Sequence, residues 1–142
     1  MSELGDRRWQ MLLDQFVDVV QRELRTHRGV LSERAGDGVL ATFDGPARAI
    51  RCAWGIRDSL HRSGLEVRCG LHTGEVTQRD RDVAGLAVHI GARVSAAAAP
   101  GEVLVTRTVR DLVAGSEIEF ADRGLFALKG VNDPWELYAT NS

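Results

Sequence analysis

His89 and Arg93 stand four residues apart in a stretch of helical pattern, so their side chains leave one face of a helix. Taken alone, they read as an ordinary helix histidine beside a solvated charge. Asp37 is placed differently. It sits between Gly36 and Gly38, where the chain turns between two extended runs, and the glycines allow a sharp turn with close ligand access. Asp-Gly is also among the commonest hairpin signals, so a turn-forming carboxylate and a ligand-presenting one are both compatible with the segment. Lys129 is the only lysine in the chain and lies in a Leu-Lys-Gly turn, open either to an anion or simply to solvent. Cys52 and Cys69 have neither metal-ligand spacing nor a disulfide framework and are expected to be buried thiols.

Positioning these groups requires a mixed fold. Trp9, Leu12, Leu13, Phe16, Val20 and Leu24 recur at three- and four-residue steps, which predicts an amphipathic helix over 6–27, stopped at Gly29. A β-hairpin over 29–43 follows, with Val39, Leu40, Ala41 and Phe43 on its return strand and Asp37 at its tip. Pro46 opens a second helix that buries Ala49, Ile50, Ala53, Ile56 and Leu60 and ends near Gly64, leaving Trp54 half exposed. Alternation over 65–71 predicts a strand, broken at Gly74 and continued at 75–77. A polar loop over 78–82 leads to a third helix over 85–98 with Val88, Ala92 and Ala96 inward, ended by Pro100-Gly101. A short strand over 102–106, a short helix over 107–113 and small strands around Ile118 and Phe120, at 125–128 and at 135–138 complete an α+β arrangement.

Composition narrows the function classes. The chain has 142 residues, 44% hydrophobic and 27% charged, which suits one globular domain spanning 1–142 with a real core. A net charge of -2 supplies no basic footprint for nucleic acid or an anionic membrane, so neither is an expected partner. No apolar run is long enough to span a bilayer or to act as a secretory signal, and a cytoplasmic location is expected.

Five segments, GDGVLATFDGPARAIRCAWGIRDSL, VRCGLHTGEV, DVAGLAVHIGARV, PGEVLVTRTVRDLV and LKGVNDPWELYA, resemble the catalytic domain of bacterial class III nucleotidyl cyclases in order and spacing. The resemblance implies a ferredoxin-like cyclase homology domain with helices packed on its sheet, and a head-to-tail homodimer with active sites at the subunit interface. It implies conversion of a nucleoside triphosphate, ATP or GTP, to a 3′,5′-cyclic nucleotide and pyrophosphate. Two divalent ions, Mg2+ or Mn2+, are held in such domains by two aspartates, because hard cations prefer carboxylate oxygens. Asp37 matches the second aspartate. The first normally stands on an opening strand ahead of the first long helix, and here the sequence begins with Met-Ser-Glu-Leu-Gly-Asp, so that strand and its ligand are expected to be missing. Asp6 and Asp14, in or beside a helix, are poor substitutes.

The resemblance also assigns base reading to Glu33 and Asp82, three residues before Gly36 and Gly85 respectively. Glu33 is guanylyl-like, since a carboxylate accepts from the guanine N1 and N2 donors; Asp82 is adenylyl-like. The pair is mismatched, because with either base an acceptor faces a carboxylate. His89 stands where the family usually has Asn, which orients the ribose, and Arg93 matches the arginine that meets charge on the α-phosphate. Lys129 becomes a candidate triphosphate contact.

Three readings follow: an active cyclase homodimer, in which one subunit supplies Asp37 and the other Glu33, Asp82, His89 and Arg93; a degenerate cyclase domain that keeps nucleotide binding or dimerisation; and a ferredoxin-like RNA-binding module. The last lacks strand aromatics and a basic surface. The second is favoured, because losing one stabilising group commonly costs on the order of 10² to 10³ in rate. The missing strand is further expected to leave open sheet edges that are filled by an exchanged segment or by association.

Overall fold

The computed structural model describes residues 3–35, 38–75, 77–79 and 82–141. The first helical stripe winds into α1 (Glu3–His27), burying Phe16, Val19, Val20 and Leu24 while Trp9 stays nearly half exposed. Arg28 adopts the left-handed conformation that ends the helix (φ 59), and the Gly29 N–H donates back to the Leu24 carbonyl at 2.8 Å. The stop expected at Gly29 is therefore shared with the residue before it.

The hairpin forms as expected from β1 (Val30–Ala35) and β2 (Gly38–Thr42), antiparallel, with a register shift between Leu31 and Glu33. Pro46 starts α2 (Pro46–His61), whose missing N–H would be unpaired at this position anyway. Trp54 is half-buried and donates its indole N–H to Thr140 Oγ1 at 2.8 Å.

Beyond α2 the structure departs from simple alternation. Only β3 (Cys69–Leu71) of the run 65–71 joins a ladder, and it pairs parallel to β6 (Val103–Thr106), not with the segment that follows it. The expected polar loop over 78–82 is instead part of a short antiparallel pair, β4 (Thr77–Arg79) with β5 (Asp82–Ala84). Strands of three residues are too short to carry a periodic signal, and cross-strand backbone bonds define them. The small strands expected around Ile118 and Phe120 and at 125–128 are one strand, β7 (Glu119–Phe126), running antiparallel to β8 (Trp135–Asn141) with a register shift between Asp122 and Gly124. The main sheet is ordered β3-β6-β8-β7.

The third helix, α3 (Leu86–Ala97), crosses between the parallel strands β3 and β6. Its buried face is Ile90 and Val94, with Ala98 beyond its end, whereas Ala92 and Ala96 are exposed, so the inward face expected from Val88, Ala92 and Ala96 is corrected. Alanine and valine surround this helix, and its own pattern leaves the choice of side open; the larger Ile90 and Val94 fill the space over Leu104 and Leu137. Gly70 lets the helix reach the sheet: a Cβ there would collide with the Ser95 backbone. The short α4 (Arg107–Leu112) buries Val109 with Val105, Ile50 and Tyr138 on the sheet's other side.

The sheet has a gap. The hairpin and the main sheet are separate ladders, and a cavity of about 1060 Å³ lies where β2 and β3 face each other, lined also by Leu12, Phe16, Ile56 and Gly91. Among the described residues no helix is long and apolar enough to cross a membrane.

Candidate active site

The residues singled out from the sequence fall on two sides of α3. Glu33 lies on β1 opposite Leu40, exposed, among the residues lining the cavity. β5, which begins at Asp82, packs against β1, so the strands carrying the two base-reading candidates are neighbours; the Asp82 side chain lies outside the described residues. Asp37 also lies outside the described residues. Asp6 and Asp14 are both on α1, as expected.

His89 and Arg93 project from α3 away from that cavity. The Lys129 carbonyl can only accept, so the His89 Nε2 at 3.1 Å from it carries the hydrogen and donates. Lys129 sits in a turn closed by the Val131 N–H on the Leu128 carbonyl at 3.0 Å, with Gly130 at φ +79 in the position where a type II turn demands glycine. Leu128 is buried against Ile90 and Leu137, which docks the turn on α3. The Lys129 side chain is exposed. One turn along the helix from His89, the Arg93 Nε is buried without a hydrogen-bond partner. Among the described residues neither Arg93 nor Lys129 has an acidic partner, and no hydrogen bond or ion pair joins Glu33 to His89, Arg93 or Lys129.

A buried guanidinium nitrogen without a partner on α3, and a lysine without an acidic partner in the turn bonded to that helix, are each suited to an anion. A model of the adenylate and guanylate cyclase catalytic domain matches residues 16–142. The chain belongs to that family. It is 29% identical over 137 residues to a putative adenylate cyclase 3 of Rhizobium meliloti, a match covering 90% of this chain and 23% of that protein. It therefore spans about a quarter of that relative's length. Among solved structures it superposes on an adenylate/guanylate cyclase/hydrolase from Silicibacter pomeroyi with a TM-score of 0.85, at 25% identity over 98% of this chain and 85% of the other. The adenylyl cyclase CyaB of P. aeruginosa shares the fold at a TM-score of 0.83 and 20% identity, covering 99% of this chain and 87% of that one.

Among the described residues no group of three or more His, Cys, Asp or Glu lies together. Asp37 remains the candidate ligand. Cys52 is buried, as expected, whereas Cys69 is only partly buried. Desolvation, with the nearby Glu23 carboxylate, pushes Cys52 up to about 12, and desolvation pushes Cys69 up to about 11.

Sequence reasoning missed His72. It follows β3 directly, shares a 2.8 Å hydrogen bond between its Nδ1 and Thr106 Oγ1, and meets the Trp135 ring edge-on at 5.2 Å. Thr106 is fully buried at the start of α4, yet its hydroxyl faces His72 and does not cap the helix. Burial holds the His72 ring below its ordinary pKa of 6.5. The histidine and threonine are 34 residues apart, so no local motif announces the pair.

Proposed function

We propose that this domain binds a nucleoside triphosphate and is of the type that closes ATP or GTP to a 3′,5′-cyclic nucleotide with release of pyrophosphate, with weak turnover in this chain. The observation that carries this reading is the Arg93 Nε, buried without a hydrogen-bond partner on the same helix whose His89 is bonded to the Lys129 turn. In the reaction the ribose 3′-oxygen attacks the α-phosphorus in line. Arg93 stabilises charge growing on the α-phosphate, and Lys129 holds the triphosphate. Divalent ions, Mg2+ or Mn2+, with Asp37 as a ligand, would neutralise further phosphate charge when bound.

Weak turnover rests on the base pocket. Glu33 and Asp82, on adjoining strands, would present two carboxylates to a base that satisfies only one of them. Glu33 lines the cavity and Arg93 does not, which supports a site completed by a second copy of the chain. The open edges of β2 and β3 around the cavity favour association through an added or exchanged strand.

The test is cyclic nucleotide formation with manganese from ATP and from GTP, alongside triphosphate binding, on this chain, Asp37→Ala and Arg93→Ala. Binding that falls at least tenfold in Arg93→Ala, with little product from either nucleotide, is the expected result. Robust product that vanishes in Asp37→Ala would overturn the impaired reading, and unchanged binding in Arg93→Ala would overturn the site.

A further inference from the structure

We propose that His89 is a positioning residue: it acts through the Lys129 turn, fixing where that lysine stands relative to Arg93, and does not itself donate to the ribose. The proposal rests on the reading of Lys129 as a triphosphate contact.

A neutral imidazole has one N–H, and in His89 it is spent at Nε2 on the Lys129 carbonyl 40 residues along the chain. The other nitrogen, Nδ1, is then an acceptor, and an acceptor cannot replace the donor amide of an asparagine toward a ribose oxygen. The surroundings hold the bond in place. Gly130 is left-handed at φ +79, and a Cβ there would stand 3.0 Å from the His89 Nε2, so glycine is what lets the ring lie against the turn. Leu128 on one side of the hydrogen bond and Ile90 on the other are buried in the same cluster. Lys129 has a flexible four-carbon stem, and its ammonium can be aimed only as well as its backbone is held. Through one hydrogen bond the helix carrying Arg93 and the turn carrying Lys129 become one rigid unit.

Because Lys129 is the only lysine, a protease that cuts after lysine has one site in the chain, at Lys129–Gly130. Cutting there reads the order of the turn independently of catalysis. The wild type is expected to be cut slowly, His89→Ala about tenfold faster, and His89→Gln, which keeps a donor amide, at close to the wild-type rate. Nitrogen NMR of the wild-type histidines should show His89 as the Nε2–H tautomer. In binding, His89→Ala should weaken a nucleoside triphosphate about five- to tenfold and leave the monophosphate unchanged, a selectivity that general loosening of the fold would not produce. The double variant with Lys129→Ala should bind no more weakly than Lys129→Ala alone.

An Nδ1–H tautomer, an unchanged cutting rate in His89→Ala, or additive losses in the double variant would each overturn the proposal. If Lys129→Ala leaves triphosphate binding intact while the tautomer and cutting rates are as expected, the phosphate role of Lys129 fails and the tether between helix and turn stands.

Discussion

The two sides of α3 are built on different terms. On one side the helix lies over a continuous four-stranded ladder; Ile90, Val94, Leu104, Leu128 and Leu137 fill one core, and the His89 to Lys129 bond ties the helix to the turn before β8. On the other side the ladder is interrupted between β2 and β3, and the apolar faces of α1 and α2 look onto a cavity of about 1060 Å³. Glu33 lines the gap, whereas Arg93 and Lys129 do not. Under the proposed function, phosphate contacts would rest on a finished core and base contacts on strands whose outer edges have backbone groups still to be paired. One face of the helix packs onto a complete ladder, while the other looks onto strand edges that a further strand could pair.

The sharpest way to break this contrast is to truncate one side chain on each side. Leu137→Ala, in a fully buried position, should cost about 2–5 kcal/mol in urea unfolding. Leu13→Ala, at the cavity wall, already lacks packing partners on one side and should cost less than about 1 kcal/mol. Equal costs would mean that the gap is closed in solution.

A smaller effect is expected on the open side. Glu33→Gln replaces an acceptor-only carboxylate with an amide that can also donate, removes one negative charge from the cavity wall and adds no second lysine. It should shift binding toward ATP over GTP by about tenfold, read by competition, and should leave the cutting rate at Lys129 unchanged. A preference that does not move would detach Glu33 from base reading.

The smallest effect is a pH dependence at His72, which stands at the border between the sides, in the cavity wall and against Trp135. Its pKa is lowered in the folded state, so the unfolded chain binds the proton more readily. This cost to stability is absent well above pH 6.5 and grows as pH falls from there toward the folded-state pKa. Replacing His72 with Gln should flatten the slope of thermal stability over that range, and an unchanged slope would assign it to other groups.

Much of the frame was legible in the residues themselves. The stripe from Phe16 to Leu24, the pairing of β1 with β2, Pro46 at the start of α2 and Pro100-Gly101 after α3 each act within a few residues, so local chemistry is enough to read them. The misses share a cause. β4 and β5 are only three residues each, β7 is interrupted in its register at Gly124, and α3 is apolar nearly all round; in each case only a partner strand or a neighbouring core tells the chain which arrangement to take. His72 and Thr106 meet only because β3 and β6 run parallel and end together.

By itself the sequence determined that His89 and Arg93 share one helix face, because a fixed rise and turn per residue are enough to place them. It also determined that a single lysine sits in a glycine turn. Only the tertiary structure decided which way that helix faces and that the one N–H of His89 is taken by the Lys129 carbonyl. A helix of small apolar residues has no preferred side until larger neighbours compete for space, and a bond between a ring and a distant backbone carbonyl depends on how two segments dock, which no spacing along the chain encodes.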